Sequence, residues 1–149
     1  MTAVVTRTLL EQQVDLTRAV VERRRGMQQH LWSRVMPHLN ESAQRAVQDL
    51  LEVLNEEDAI DPNLASFLDG VIGEIRTAIS AGTREEQVAI PRERLFGCTE
   101  AYEARTVLSP AAEALEAALP PLLALYTAAR QALDFAEAVR LSMRLLDPD

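Results

Sequence analysis

The side chains that most often carry catalysis are few in this chain. Its 149 residues include two His, one Cys and no Lys, since all 15 basic residues are Arg. A Walker-type phosphate loop, Schiff-base or pyridoxal chemistry and a protein-kinase site each depend on a Lys amine, so the composition excludes all of them. His30 and His38 have Met27 and Val35 three residues before them, where metal sites in helical bundles carry Glu. We therefore expect no metal site and no cofactor.

The single thiol, Cys98, lies in the segment 95–99. A nucleophilic cysteine needs a neighbouring base and a positive local field, and this segment contains neither, so we interpret Cys98 as a small buried residue. A lone Cys forms no internal disulfide. The N-terminus lacks a signal-peptide pattern, and no apolar stretch reaches the roughly 20 residues that span a membrane. The sequence therefore favours a soluble cytoplasmic protein.

Arg25 and His30 are separated by four residues, a spacing that resembles the short motif of HEPN-domain ribonucleases. Members of that family are all-helical and pair two such motifs across a dimer, so the resemblance implies an acid–base role for His30. The sequence departs from the family at Gly26, where a polar residue usually follows the Arg, and in carrying the motif early in the chain. From the residues alone we interpret His30 as non-catalytic, with a HEPN-like ribonuclease as an alternative.

The elements that position these residues are predicted to be helices. Ala and Leu are the commonest residues, and the chain has five Gly and seven Pro, a composition that favours helix because these side chains lose little rotamer freedom there. Apolar residues recur at helical spacing through most of the chain. The pattern predicts helices over 3–36, 41–56, 62–81 and 92–107, a short helix from Pro110 that Pro120 and Pro121 end or sharply kink, and a last helix over 122–146.

Local signals define where these helices begin and end. Pro37 stops the first helix, and Gly26 is a point at which it divides. Asn40 is a predicted N-cap of the second helix, which is expected to bury Val47, Leu50, Leu51 and Leu54 and to be followed by an acidic turn at 56–58. Asp61 with Pro62 opens the third helix, for which Gly82 supplies a left-handed C-cap, and Ser109 with Pro110 opens the short fifth helix.

The segment 83–91 is predicted to be the longest connection, because the capping pattern of Thr83 and Glu86 leads into no sustained period. The last helix has an apolar arc that covers nearly half of its circumference, which is typical of a central helix. We therefore predict an all-α fold: a single-domain helical bundle over 1–149, with five to six helices and long first and last helices.

Charge is distributed unevenly along the chain. Residues 1–45 contain seven Arg and four acidic residues, whereas residues 46–149 contain eight Arg and nineteen acidic residues, within a net charge of −8. The segment 46–75 has eight acidic residues and no Arg. An ordinary solvated surface explains such a pattern. The functional alternative is that Arg18, Arg23, Arg24 and Arg25 bind an anionic partner, either the acidic block of another copy or a nucleic-acid backbone.

A stripe of small residues follows one side of the third helix. With the large aliphatic residues facing the core, the opposite side presents Ser66, Gly70, Gly73 and Thr77 at spacings of four, three and four. Two exposed Gly in a helix interior cost about 2 kcal/mol relative to Ala. Small residues instead permit the close approach of another backbone, so this seam is a candidate helix contact, within the chain or with a partner.

These features favour a non-enzymatic assembly or adaptor subunit that works through protein–protein contacts, with a protein partner or by self-association, and with no membrane contact. The alternative is a nucleic-acid-associated accessory subunit whose first helix contacts the backbone. In size and all-helical character the chain is similar to the small subunits of CRISPR effector complexes.

Overall fold

The computed structural model describes residues 2–54, 61–97 and 101–146, without the side chains of 2–7 and 146. The described chain is mainly helical, as predicted, but it also contains a pair of strands. Its elements are α1 (Thr2–Arg24), α2 (Met27–His30), α3 (Glu41–Leu54), α4 (Leu64–Ala81), β1 (Thr83–Ala89), β2 (Tyr102–Leu108) and α5 (Pro110–Leu146).

The first predicted helix is divided at Gly26, which adopts a left-handed conformation with φ 73°. After α2 the chain continues as a wide π turn over Leu31–Val35 and a tight 3-10 turn over Met36–His38. Pro37 has no N–H to donate, which ends regular helical hydrogen bonding at this point. The helical path therefore extends over the predicted range, but as four segments.

The second and third helices form close to their predicted positions. Asn40 caps α3, because its Oδ1 accepts a hydrogen bond of 2.9 Å from the backbone N–H of Ala43. Asp61 accepts a hydrogen bond of 2.7 Å from the N–H of Asn63, and α4 begins at Leu64, two residues later than predicted. The acidic turn expected at 56–58 lies outside the described residues.

The segment between α4 and α5 corrects the prediction of an all-α fold. β1 and β2 form an antiparallel two-stranded ribbon from the pair Thr83 and Leu108 to the pair Ala89 and Tyr102. The connection predicted over 83–91 is a strand, and of the helix predicted over 92–107 there remains a single 3-10 turn at Arg92–Arg94. No residue of either strand is buried. The strands are therefore stabilised by the hydrogen bonds between them. Because neither strand has a buried face, the sequence has no alternating apolar pattern that would predict them.

The base of the ribbon is closed by a hydrogen bond of 2.8 Å from the N–H of Ser109 to the carbonyl oxygen of Gly82. The left-handed cap predicted at Gly82 is wrong, because its φ is −92°. The glycine is required for a different reason: a Cβ at this position would lie 2.5 Å from Ser109 Oγ and 2.8 Å from Ala112 Cβ. Close approach of the start of α5 therefore excludes a side chain here.

The last helix is continuous through the two prolines, so the prediction that a short fifth helix ends at Pro120 and Pro121 is wrong. Ser109 caps α5 as expected, since its Oγ accepts a hydrogen bond of 3.1 Å from the N–H of Ala112. Both prolines are exposed. The backbone carbonyl groups four residues before them, which have no proline N–H to accept from, therefore lie near solvent. Burial of Leu115 before them and Leu122 after them holds the helix together.

The core is built around the first two thirds of α5, which packs against α1, α4 and the segment 31–38, while α3 packs on α4. Its largest buried side chains come from all of these elements: Val20, Leu31, Val35, Val47, Leu50, Leu68, Val71, Ile75, Leu115, Leu122 and Leu125. Within the described residues, no helix combines the length and apolar character needed to cross a membrane.

Candidate interaction surfaces

The four arginines proposed as one basic patch occupy different environments. Arg24 is half-buried, and its Nη2 donates a hydrogen bond of 2.8 Å to the carbonyl oxygen of Leu54 at the end of α3. Arg23 is exposed and turns back to the carbonyl oxygen of Ala19 in its own helix, at 3.3 Å. Arg18 and Arg25 are exposed. Arg24 therefore links α1 to α3, and the outward-facing charge of the cluster comes from the other three.

Arg18 lies beside a row of apolar residues that sequence reasoning did not single out. The α1 stripe, as we name it, consists of Leu10, Val14, Thr17 and Val21. With Gln13 and Arg18 it lines a shallow concavity of about 470 Å³. The side chains of Leu10 and Val14 are 53% and 55% exposed. Large aliphatic side chains are usually less exposed than this. The stripe is therefore an exposed apolar surface that contact with another apolar surface would bury.

The signal for the α1 stripe was present in the sequence. Leu9, Leu16 and Val20 repeat at helical spacing, and Leu10, Val14 and Val21 repeat beside them on a second face. Only the first face reaches the core, where Val20 is buried and Leu16 packs against the core. When a helix has two adjacent apolar faces, only one of them is buried in the monomer. The periodicity of the sequence does not show which face is buried and which is exposed.

The small-residue seam on α4 faces away from the core. Ser66, Gly70, Gly73 and Thr77 are all exposed. A Cβ built on Gly70 or Gly73 would meet no described atom within 4 Å, and Thr77 donates its hydroxyl hydrogen to the carbonyl oxygen of Gly73 at 2.9 Å. The seam therefore makes no close helix contact within the described chain, and the contact with a partner stays a prediction.

His30 is the candidate acid–base residue, and Cys98 is the candidate nucleophile. His30 is half-buried and its Nε2 forms a hydrogen bond of 2.9 Å with the carbonyl oxygen of Ala118 in α5. Because a carbonyl oxygen only accepts, Nε2 carries the proton and Nδ1 is the ring nitrogen left for other chemistry. Cys98 lies outside the described residues.

Side chains able to bind a metal ion do not cluster in the described part of the chain. Within the ranges 2–54, 61–97 and 101–146, no three His, Cys, Asp or Glu side chains come together in a group that would hold a metal ion. The acidic residues Asp49 and Glu52 of α3 and Asp69 of α4 are exposed. These three acidic residues therefore face solvent, whereas Asp61 and Glu74 of the same block are half-buried.

Comparison of the chain with protein-family models, with curated proteins and with solved structures found no match.

Proposed function

We propose that the protein is a helical-bundle assembly subunit, which acts by binding another protein through the exposed face of α1. The observation that supports this function is the α1 stripe, where Leu10 and Val14 stand more than half exposed beside the Arg18 guanidinium. An exposed apolar row edged by arginine has the composition of an interaction site, because interfaces are enriched in apolar and Arg side chains and depleted of other charges.

The stripe lies on a regular helix, which fixes the side chains relative to one another. A partner helix can pack into such a row using ridges and grooves of the same spacing. Thr17 fits this role, since its hydroxyl already donates to the carbonyl oxygen of Gln13 at 2.9 Å and therefore presents its methyl group without leaving a donor unsatisfied. This function requires binding energy alone and no reactive group.

Photo-crosslinking in the native host tests the proposal. A crosslinking side chain at position 14 should form a protein adduct. The same group at Gln48, which is exposed on α3, is the control and should not. The protein identified in the adduct should also bind the purified chain, and Val14→Glu should weaken that binding while Gln12→Glu, which adds the same charge off the stripe, should not.

The outcomes separate the candidate functions. Absence of a protein adduct at position 14 would contradict the assembly function through α1. An adduct with nucleic acid, together with binding that weakens steeply as salt rises, would instead favour the accessory subunit of a ribonucleoprotein. A crosslinker at Ser66 tests the seam of α4 in the same experiment.

A further inference from the structure

The first part of α1 and the last part of α5 extend beyond the core. Among the side chains described, the buried residue of α1 nearest its start is Val20, and the buried residue of α5 nearest its end is Ala132. We name the remaining segments, 8–19 and 133–145, the arm. In both of them every described side chain is exposed or half-buried.

The two helices of the arm run in opposite directions. His30 lies against Ala118, whereas Ala19 and Arg23, earlier in the chain, line one groove with Leu123 and Thr127, which come later in α5. As α1 is followed back towards its start, the contacts in α5 therefore move towards its end. Since both helices rise about 1.5 Å per residue, the segments of the arm lie alongside each other.

A pair of helices buries too little apolar surface to be stable alone, and helices in proteins depend on packing of their apolar faces. The arm exposes large apolar residues on both helices. They are Leu10 and Val14 on α1, and Leu141, Met143 and Leu145 on α5. A second pair of helices would complete the packing, as in a four-helix arrangement.

We propose that two copies of this chain associate through their arms, with α1 of each copy packed antiparallel on α1 of the other along the α1 stripe. This inference rests on the proposed function and names its partner as a second copy. A two-fold axis beside Val14 and Thr17 brings Val14 of each copy opposite Thr17 of the other, and Leu10 opposite Val21. These are the layers of an antiparallel pair, because the spacing of four, three and four in the stripe is that of coiled-coil core positions.

Charges beside the stripe select this orientation. Glu11 and Arg18 are seven residues apart on the same flank of α1. In the antiparallel pair, Glu11 of each copy faces Arg18 of the other, which gives two ion pairs across the axis. A parallel pair would place Gln13 opposite Arg18 and form neither. The charge complementarity therefore favours a second copy in the antiparallel direction.

The charge of the whole molecule also favours the arm as the place of contact. The net charge of −8 makes two copies repel each other. The arm carries three Arg and four acidic residues, so it is nearly neutral and most of the negative charge lies elsewhere. Contact at the arm therefore brings little of the negative charge of the two copies together.

Sedimentation equilibrium of the purified full chain tests the inference. The wild-type chain should be a dimer whose dissociation constant rises about tenfold or more with Val14→Glu, because a charged carboxylate would replace an apolar side chain in the contact between the two helices. Gln12→Glu, on the exposed side of the same helix, is the matched control and should leave the dimer unchanged. Circular dichroism checks that each variant keeps its helical content.

A charge exchange tests the orientation. Glu11→Arg and Arg18→Glu should each weaken the dimer, since each places like charges together, and the double variant should restore it. A wild-type chain that stays monomeric, a dimer that tolerates Val14→Glu, or a double variant that remains weak would each overturn the inference. If the purified chain is monomeric while position 14 still crosslinks a different protein, the inference fails and the proposed function stands.

Discussion

His30 of α2 is joined to Ala118 of α5 by a hydrogen bond of 2.9 Å between Nε2 and the carbonyl oxygen, across 88 residues of sequence. Ala118 lies two residues before Pro120, where the helix loses its own N–H donors. The imidazole therefore links α2 to the turn of α5 that lacks the N–H groups of Pro120 and Pro121.

Replacing His30 tests this structural role. We expect His30→Ala to lower the free energy of unfolding by about 1–2 kcal/mol, because it removes a partly buried hydrogen bond. Chemical denaturation with the single Trp32 as the fluorescent reporter measures the change. An unchanged free energy of unfolding, together with an RNA-cleaving activity that is lost in His30→Ala but kept in His38→Ala, would contradict this role and support the HEPN-like alternative.

Gly82 and the two Gly of the α4 seam should respond to Ala in opposite directions. Gly82→Ala should lower the free energy of unfolding by about 1–3 kcal/mol, since the new methyl group would overlap Ala112 Cβ, which no rotation can move away. Gly70→Ala and Gly73→Ala should each raise it by about 0.5–1 kcal/mol, because a Cβ there has open space and Ala favours helix. Thermal or chemical denaturation of the three variants provides the measurement. Loss of association in the seam variants would show that a partner packs on the seam.

Arg24 and Arg23 are adjacent in sequence but should differ in their effect on stability. Arg24→Ala should cost about 1–2 kcal/mol, because it removes the hydrogen bond of 2.8 Å to Leu54 and the link between α1 and α3. Arg23→Ala should change stability by less than about 0.5 kcal/mol, since its side chain is exposed and contacts its own helix. Equal losses in urea denaturation would contradict this assignment.

Pro120 should destabilise the helix in which it lies. Because the residue is exposed and mid-helix, we expect Pro120→Ala to raise the free energy of unfolding by about 1–2 kcal/mol, less than the full cost of an interior Pro because the unfolded chain also gains freedom. Chemical denaturation tests this. A neutral or destabilising result would contradict a regular helix at this position.

Helices with one apolar face could be predicted from the sequence. In α3 the positions Val47, Leu50, Leu51 and Leu54 were expected to face the core, and all of them are buried. Asn40 and Ser109 were expected to be caps and act as caps, because capping depends on a side chain reaching a backbone N–H a few residues away. Both kinds of signal are local.

Features that depend on distant contacts were not predictable. The ribbon has no buried face, so Val88 and Tyr102 gave no alternating pattern, and its register follows from pairing between strands. The continuity of α5 through Pro120 depends on the burial of Leu115 and Leu122 by other helices. On α1, sequence reasoning selected Arg18 by its charge. The exposure of the neighbouring α1 stripe could not be predicted, because it depends on the position of α5 in the fold.

The hydrogen bond between Ser109 and Gly82 brings the two ends of the ribbon together. Since α5 begins close to where α4 ends, the 26 residues between Gly82 and Ser109 form an insertion between the two helices. The contact between Gly82 and Ser109 fixes the junction of α4 and α5 without the rest of the ribbon. The ribbon is therefore a suitable site for a deletion, a replacement or an inserted tag that leaves the core unchanged.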